Sequence, residues 1–347
     1  MSGLDWEAEA RARLDPGAYA YLATGSGREQ TLAANVAAWG KWWLRPHVLR
    51  DVSQVDLRTT VLGTEIASPV MVAPTGYQRV VHPEGEVASA RGAAEAGSLY
   101  VLSTRASLPL AEVAAVAGPW WMQVYVLKDR GLSDEVVRRA VAAGARAMVL
   151  TGDTPAVSTR AREGGLDFAR EAWLVRGLAP DRADGDLDLA VQQAPDVTYA
   201  DIGRLRELSG LPVVVKGVLR ADDARACLDA GAAAVWVSNH GGRQLDGAVP
   251  TAVALPEVVD AVGDDAEVYV DGGVRDGRDV LRALALGARA VLIGRPMVWA
   301  LAVDGAAGVR DLLAAYGADL AEAMTLAGAR SPAELTRDLV VRGGESL

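Results

Sequence analysis

The segment AVWVSNHGGRQLDG, residues 234–247, changes character between one residue and the next. AVWV is typical of a buried strand, and SNHGGRQ follows it without an ordinary turn. When a buried strand runs directly into side chains that are capable of chemistry, those side chains usually face something other than water. The rest of the chain must therefore supply the sheet that buries this strand and the partner that its polar end meets.

Short β-branched runs with polar ends recur along the chain from residue 70 onward, and each is followed by an Ala/Leu/Arg-rich segment of helical period. This alternation is typical of βα units whose strands are parallel. The eight predicted strands are PVMVAPT (69–75), LYVLST (99–104), WMQVYV (121–126), AMVLTGDTP (147–155), PVVVKGV (212–218), AVWVSNHGG (234–242), EVYVDGG (267–273) and AVLIGRP (290–296).

Several predicted helices between these strands stop at a glycine that suits a left-handed C-cap. They are EGEVASARGAAEAG (84–97), DEVVRRAVAAG (134–144), ADDARACLDAG (221–231) and RDVLRALALG (278–287). Eight strand–helix units in about 230 residues predict an α/β fold of the (β/α)8 TIM-barrel type. A doubly wound sheet is the alternative, although it needs fewer strands and a switch point.

The whole chain, residues 1–347, is interpreted as one barrel domain with two additions. Residues 1–68 form an N-terminal extension, with helical patterns in 5–14 and 27–44 and a hairpin pattern in TTVLGTEI, so that it caps the barrel bottom or reaches over its top. Residues 161–198, acidic and rich in Gly, Pro and Asp, form a predicted lid insertion after the fourth barrel strand.

Composition narrows the class of protein further. A net charge of −10 repels a phosphate backbone and argues against nucleic-acid binding. The single cysteine, Cys227, cannot form an internal disulfide, and no apolar run reaches the roughly 18 residues that a membrane span needs. With no recognisable leader at the start, a cytoplasmic protein without a membrane partner is expected.

Polar residues at the carboxyl ends of barrel strands matter most, because TIM-barrel enzymes carry their chemistry there. Of the three histidines, His240 alone ends a predicted barrel strand, next to Gly241 and Gly242, which remove bulk where something must come close. His240 is therefore the candidate base. His47 lies before the barrel, and His82 precedes a proline at a predicted helix start, where capping is the simpler role.

Strands seven and eight end in DGGVRDG and IGRP, on the two strands whose loops commonly bind phosphate in such barrels. Backbone N–H groups of Gly273 and Gly294, together with Arg275 and Arg295, supply dipoles and charge for a phosphate. Tight βα turns with surface arginines are the plainer interpretation. Lys216, inside a buried strand, needs an anionic neighbour, either a structural salt bridge or a cofactor that becomes anionic on reduction.

These motifs together resemble the FMN-dependent L-2-hydroxy acid oxidases and dehydrogenases, the group that oxidises glycolate, lactate, mandelate and 4-hydroxymandelate. The resemblance runs from YAYLATGSGREQTLAAN (19–35) to AMTLAGARSPAEL (323–335), with SNHGGRQLDG as its most specific motif. HPEGE, LTGDTP, VKGV, DGGVR and GRP occur in matching order.

The resemblance implies FMN as cofactor, no metal, and a set of catalytic and substrate-binding residues. His240 would be the base, and Asp153 the carboxylate that orients its imidazole. Arg160 and Arg243 would hold the substrate carboxylate with Tyr21, because the guanidinium fork suits a carboxylate. Tyr125 would hydrogen-bond the substrate hydroxyl or the developing ketone.

The same resemblance implies the cofactor-binding residues. The backbone of Ala73, Pro74 and Thr75 would run along the flavin, and Lys216 would lie near its N1 with Ser238 close by. Ser103, Gln123 and Thr151 would contact the polar edge of the ring, and Asp271 would contact the ribityl chain. The phosphate would be bound by Gly273, Arg275, Gly294 and Arg295.

The implied reaction is oxidation of an L-2-hydroxy acid to the 2-oxo acid, with oxygen as acceptor and hydrogen peroxide as product. The sequence looks closest to 4-hydroxymandelate-type oxidases, which hints at an aromatic substrate. Gly76 stands where many oxidases of the family have Ala, so a dehydrogenase that uses another electron acceptor is an alternative. Arg105 stands where short-chain oxidases often have Trp. A non-redox phosphate-binding isomerase is a further alternative. A homo-oligomer, tetramer or octamer, is expected from the family.

Overall fold

The computed structural model describes residues 5–159 and 192–343. The strands in this part of the chain are β1 (Trp42–Leu44), β2 (Thr59–Val61), β3 (Thr64–Ile66), β4 (Val70–Val72), β5 (Tyr100–Leu102), β6 (Trp120–Val124), β7 (Met148–Thr151), β8 (Val213–Val218), β9 (Ala234–Val237), β10 (Glu267–Val270), β11 (Ala290–Ile293) and β12 (Val340–Arg342).

The α-helices of the same residues are α1 (Trp6–Arg13), α2 (Pro16–Ala23), α3 (Gln30–Trp39), α4 (Gly85–Glu95), α5 (Leu110–Ala114), α6 (Arg130–Ala142), α7 (Ala200–Ser209), α8 (Ala221–Asp229), α9 (Thr251–Val262), α10 (Gly277–Ala285) and α11 (Arg295–Ala327). The last of these is interrupted by non-helical backbone at Asp304 and Gly305. Short 3-10 turns cover Gln78–Val80, Pro332–Glu334 and Arg337–Leu339.

Strands β4 to β11 close into a barrel in which neighbours are parallel and β11 returns to pair with β4. This confirms the predicted (β/α)8 TIM barrel and excludes the doubly wound sheet. All eight predicted strands are present, but their regular parts are shorter than predicted. The polar residues at their carboxyl ends leave the ladder and form the rim of the barrel.

The barrel interior is filled by its own apolar side chains, so it is a packed core rather than a pore. Trp121, Trp236 and Tyr269 are its largest members, and all three are fully buried. Val61 and Ile66 of the β2–β3 hairpin belong to the same cluster. The hairpin therefore closes the amino-terminal end of the barrel. This is the first of the two roles predicted for the extension, capping the barrel bottom.

The rest of the extension crosses the opposite end of the barrel. The N–H of Ser26 donates to the carbonyl of Gly242 at 2.9 Å, and the N–H of Thr31 donates to the Asp246 carboxylate at 3.0 Å. Helix α3 thus lies on the segment that follows β9. The extension therefore does both things that the sequence left as alternatives: its hairpin caps the barrel bottom, and its helical part reaches over the top.

Two parts of the extension differ from prediction. The helical pattern of 27–44 ends at Trp39, and Trp42–Leu44 forms strand β1, antiparallel to β12 at the other end of the chain. Local sequence cannot reveal a partner so distant, and tertiary pairing overrides the helical period. Helix α2 was not predicted, although Asp15 followed by Pro16 is a recognisable N-cap signal.

Most of the predicted lid, residues 161–191, lies outside the described residues. Its last part, 192–198, is attached to the loop after β6: the N–H of Lys128 donates to the carbonyl of Gln192 at 2.7 Å, and the N–H of Ala194 donates to that of Val126 at 2.8 Å. Among the helices that the structure describes, none has the length and apolar character needed to cross a membrane.

Candidate active site

A cavity lies at the carboxyl ends of the barrel strands. The predicted site residues that line it are Tyr21, Ala73, Pro74, Thr75, Ser103, Tyr125, Lys216, His240, Arg243, Asp271, Gly273, Arg275, Gly294 and Arg295. Arg160 lies outside the described residues.

His240 is held in an uncommon backbone conformation at the cavity wall. Its φ is +58°, which few non-glycine residues adopt and which is often found at functional sites. The Ser238 hydroxyl accepts from the His240 N–H at 3.1 Å. The ring Nδ1 lies 3.1 Å and 3.3 Å from the two carboxylate oxygens of Asp153.

This contact decides the tautomer of the imidazole. An ionised carboxylate only accepts hydrogen bonds, so Nδ1 carries the proton and Nε2 keeps its lone pair. Asp153 does not line the cavity and lies behind His240, with its side chain only 12% exposed. The pair therefore has the arrangement of a base and its orienting carboxylate.

Electrostatics favour the neutral, proton-accepting form of His240. Burial lowers the pKa of His240 below 6.5, and the positive charge of Lys216 adds to that effect against the opposing pull of Asp153. Burial raises the pKa of Asp153, but the positive charge of Lys216 and the hydrogen bond with His240 outweigh it and keep the pKa of that carboxyl below its ordinary value. Asp153 therefore stays ionised and His240 is ready to accept a proton near pH 7.

A pH profile of kcat/KM tests this assignment. Because the pKa of His240 is lowered from 6.5, activity should stay level as the pH falls through 6.5 and decline only below it. On that acidic limb the rate should fall about tenfold per pH unit, since only neutral His240 accepts a proton. An inflection above 6.5 would contradict the lowered pKa, and a profile without an acidic limb would contradict the base assignment.

A break in strand β8 creates the space for Asp153. The pairing of β8 with β9 shifts register between Lys216 and Val218, and Gly217 between them has φ +109°. A Cβ on Gly217 would lie 2.6 Å from the Cβ of Asp153. The missing side chain at Gly217 therefore leaves room for Asp153, and its φ lies in the region that favours glycine.

Lys216 is buried at the barrel end and has the anionic neighbour that the sequence required. Its Nζ lies 3.7 Å from a carboxylate oxygen of Asp271 and 5.5 Å from the ring centroid of Trp236. The other oxygen of Asp271 accepts from the Ser238 hydroxyl at 2.8 Å. Burial raises the pKa of Asp271 despite the attraction of Lys216. Lys216 thus combines a structural ion pair with a position at the cavity wall.

The three residues predicted for the polar edge of the flavin form one hydrogen-bonded chain. The Ser103 hydroxyl donates to Gln123 Oε1 at 3.3 Å, and Gln123 Nε2 donates to the Thr151 hydroxyl at 2.9 Å. Ser103 reaches the cavity wall, whereas Gln123 and Thr151 are buried behind it. Their direct contact with a flavin stays a prediction.

Gly241 and Gly242 have close neighbours, as predicted, but these neighbours belong to the protein. A Cβ on Gly242 would lie 2.7 Å from the backbone nitrogen of Leu32, and one on Gly241 would lie 2.9 Å from Nη1 of Arg295. The close neighbour of Gly242 is therefore helix α3. Gly241 still lines the cavity.

The guanidinium of Arg243 joins the barrel to the N-terminal extension at the edge of the cavity. Its Nη1 donates to the carbonyls of Tyr21 at 2.7 Å and Thr24 at 2.9 Å. It also lies over the Tyr21 ring, 4.9 Å from the centroid. Arg243 is thus fixed in place at the cavity wall, and its contact with a substrate carboxylate stays a prediction.

Arg295 lines the cavity and binds backbone carbonyls of the protein. Its guanidinium donates to the carbonyls of Leu22 at 2.9 Å, Gly241 at 2.8 Å and Thr24 at 3.2 Å. The bonds to Leu22 and Thr24 tie the extension to the barrel, a role that the sequence did not reveal. A phosphate contact from this side chain stays a prediction.

Gly294 offers a more direct site for an anion. It caps the amino terminus of α11, and a Cβ there would meet only the Ala73 Cβ at 4.0 Å. Helix N-termini bind phosphate through their unpaired N–H groups. Arg275 lines the same cavity, with its Nη1 on the carbonyl of Val274 at 3.0 Å.

Sequence reasoning missed Tyr77. It lines the cavity, has φ +58°, and its ring meets that of Tyr21 edge-on with 6.2 Å between centroids. With Tyr125 on the same wall, three tyrosines surround one part of the cavity. The signal was present, because Tyr77 directly follows the end of a barrel strand and Gly76.

Comparison with known proteins identifies the family of this chain. Residues 10–342 match the family model described as FMN-dependent dehydrogenase. The chain belongs to that family. A helix N-terminus suited to an anion, a buried lysine beside the barrel end and a cavity that both of them line all fit FMN, which is therefore the cofactor of this FMN-dependent dehydrogenase family member.

The chain is similar to proteins named as oxidases along nearly their whole length. The chain is 44% identical over 340 residues to L-lactate oxidase from Nostoc sp., with 93% of each chain covered. It is also 44% identical over 340 residues to 4-hydroxymandelate oxidase from Amycolatopsis orientalis, with 95% of each covered. A crystal structure of mandelate oxidase superposes with a TM-score of 0.90 at 43% identity, covering 98% of both chains. The non-redox isomerase interpretation has no support among these relatives.

Proposed function

We propose that this protein oxidises an L-2-hydroxy acid to the corresponding 2-oxo acid and passes the two electrons to oxygen. In balance, the substrate loses two hydrogens, and oxygen gains them to become hydrogen peroxide. The observation that carries the proposal is the pairing of His240 Nδ1 with Asp153 at 3.1 Å on the wall of a cavity in an FMN-dependent chain. The relatives named above are oxidases of such acids.

The substrate carboxylate is assigned to Arg243, with Arg160 and Tyr21 as partners. A guanidinium forms two parallel hydrogen bonds with a carboxylate, which fixes the orientation of the acid as well as its affinity. The contacts of Arg243 with the carbonyls of Tyr21 and Thr24 hold it in place before substrate arrives. This preorganisation lowers the cost of binding.

His240 removes a proton from the bound substrate, and Asp153 stabilises the imidazolium that results. Tyr125 is assigned to the oxygen on C2, because it lines the cavity beside His240 and burial raises the pKa of its hydroxyl. It therefore remains a hydrogen-bond donor throughout the reaction. FMN, when bound, supplies the two-electron chemistry. We assign the phosphate to Gly273, Gly294, Arg275 and Arg295, the ribityl chain to Asp271, and the flavin to the backbone of 73–75 with Lys216, Ser238, Ser103, Gln123 and Thr151.

Transfer to an acceptor other than oxygen is the alternative, and Gly76 was the residue that suggested it. A Cβ on Gly76 would lie 2.6 Å from the Cβ of Arg105 and 2.9 Å from its carbonyl oxygen. Packing against Arg105 thus requires glycine here whatever the acceptor is. Gly76 consequently gives no support to the dehydrogenase alternative.

The test is a flavin spectrum followed by two mixing experiments. The purified protein should be yellow, and anaerobic addition of L-lactate or (S)-mandelate should bleach the flavin absorbance, whereas the D or R enantiomers should not. Readmitting oxygen should restore the colour with one hydrogen peroxide per turnover. Bleaching without peroxide would support the dehydrogenase, and a protein that no 2-hydroxy acid bleaches would overturn the proposal.

Arg243→Lys should lower kcat/KM roughly ten- to a hundred-fold, the range for losing a hydrogen bond between charged groups. A lysine cannot form the bidentate pair, so both KM and rate should suffer. Arg58→Lys is the matched control, because Arg58 is exposed beside the bottom hairpin and pairs only with Asp56 in the described contacts. Unchanged kinetics in Arg243→Lys, with normal FMN content, would remove Arg243 from the substrate site.

We also propose a homo-oligomer, tetramer or octamer, in a reducing compartment such as the cytoplasm. The oligomer follows the family expectation, and the compartment is supported by Cys227, which is buried and in no disulfide. Light scattering on the purified protein measures the subunit number directly.

A further inference from the structure

Arg105 is the one charged residue that the loops after β4 and β5 contribute to the cavity wall. The proposed reaction does not use it. It is half-buried and shares the wall with Tyr77 and Tyr125. These observations raise the question of what a guanidinium does beside a site that already has Arg243 for the carboxylate of the substrate.

The backbone that carries Arg105 is fixed on both sides. Its N–H donates to the Ser103 hydroxyl at 3.1 Å, and its carbonyl accepts from the N–H of Tyr77 at 2.9 Å. A Cβ on Gly76 would lie 2.6 Å from the Cβ of Arg105, so the two loops pack closely at this point.

A buried carboxylate holds the two loops together from below. Glu86 is fully buried on helix α4 and accepts from the N–H of Gln78 at 3.1 Å and the N–H of Ser107 at 2.9 Å. One side chain thus fixes the loop after β4 to the loop after β5. The position of Arg105 relative to the cavity is therefore built into the fold.

The cavity has two guanidinium groups, each beside a tyrosine. The guanidinium of Arg243 lies 4.9 Å from the ring centroid of Tyr21, and that of Arg105 lies 5.9 Å from that of Tyr125. Tyr77 meets Tyr21 edge-on between these two walls. Two positive groups thus line the same cavity as three tyrosines, and the reacting carbon is proposed to lie in that cavity.

We propose that Arg105 binds a second carboxylate on the substrate, so that the preferred substrates are 2-hydroxy dicarboxylic acids. This inference rests on the proposed function and names its substrate class. One carboxylate pairs with Arg243 beside the reacting carbon, and the distal one pairs with Arg105. Guanidinium groups recognise carboxylates through charge-assisted paired hydrogen bonds, which an alkyl or phenyl end cannot form.

The test compares acids that differ only at the distal end. L-2-Hydroxyglutarate is matched with L-2-hydroxypentanoate, and L-malate with L-2-hydroxybutyrate, with (S)-mandelate and (S)-4-hydroxymandelate added as aromatic probes. The holoenzyme should show a kcat/KM roughly ten- to a hundred-fold higher for each diacid than for its monoacid partner. Arg105→Met should abolish that preference and change the monoacids little, and Arg105→Lys should restore part of it. Arg79→Met, at an exposed arginine of the neighbouring loop, should keep the preference.

A measurement on the unaltered enzyme guards against a variant that does not fold. Glutarate should inhibit turnover of an oxidised monoacid at a concentration about tenfold or more lower than pentanoate does, because only glutarate reaches both arginines. Faster turnover of monoacids or aromatic acids, or an equal diacid preference in Arg105→Met, would overturn the inference while leaving the proposed function intact. Failure of every 2-hydroxy acid to reduce the flavin would overturn both.

Discussion

His240→Gln should keep its bound FMN and yellow colour while flavin reduction by substrate slows by about 10²- to 10⁴-fold, the range for a lost general base. Glutamine is uncharged and similar in length, so it occupies the space without accepting a proton. The effect should appear in single-turnover reduction under anaerobic conditions, before oxygen takes part.

The structure also explains why FMN binding should survive this substitution. The described hydrogen bonds of His240 go to Asp153 and Ser238, and its carbonyl accepts from the N–H of Arg243. The backbone strain at φ +58° is shared by histidine and glutamine, since neither is glycine. Stopped-flow reduction at saturating substrate isolates the chemical step from binding.

His47→Gln is the matched control, because His47 is exposed and pairs with Asp338 outside the cavity. It should reduce its flavin at the normal rate. Reduction of His240→Gln within a few-fold of that control would reject His240 as the base. Loss of FMN from His240→Gln alone would instead give His240 a role in holding the cofactor.

The barrel could be predicted because its strands carry an unusually clear signal. Strands of a parallel barrel are buried on both faces, so they read as short continuous apolar runs rather than alternating ones. AVWV of β9 and AVLI of β11 are buried throughout, as their composition predicts. The glycines after the helices, such as Gly144 and Gly231, do have positive φ.

The candidate site was predictable for a different reason. Strand ends converge at one rim in this fold, so His240 and Asp153 were both expected there, and the family resemblance implied their pairing although 87 positions separate them. Sequence located these residues but not the direction of their side chains. Arg295 illustrates the limit: its position at the rim was predicted, whereas its three bonds to carbonyls of the extension and the 240s loop depend on how α2 and α3 lie on the barrel.

SNHGGRQLDG itself has a second role that its sequence did not suggest. Asn239 and Asn35 exchange two amide hydrogen bonds of 2.8 Å each, and the Asp246 carboxylate accepts from the N–H groups of Arg28 and Thr31. Much of the motif therefore docks helix α3 rather than contacting ligand. The partners lie about 200 residues earlier in the chain, where no local pattern connects them.

Gly242→Ala tests this docking role, with Gly247→Ala in the same motif as its control. Both glycines have positive φ, +76° and +87°, so both substitutions carry a similar backbone cost of about 1–2 kcal/mol. The two positions differ in the space available for the added methyl group. A Cβ at 242 would lie 2.7 Å from the nitrogen and 2.8 Å from the Cα of Leu32, whereas a Cβ at 247 would meet nothing within 4 Å.

The clash at 242 is with backbone, so it cannot be relieved by turning a side chain and must displace helix α3. Overpacking of this kind typically costs a further 1–3 kcal/mol. The displacement should also loosen Ser26, whose N–H donates to the carbonyl of Gly242, and with it the segment that carries Tyr21 to the cavity.

Thermal unfolding of the two holoproteins should therefore separate them by several degrees, with Gly242→Ala the less stable. Its kcat/KM should fall well below that of Gly247→Ala, because the Arg243 contacts with Tyr21 and Thr24 depend on the docked helix. Equal melting temperatures and equal activities in the two variants would mean that α3 accommodates the methyl group. In that event the motif would not be what holds the extension over the cavity.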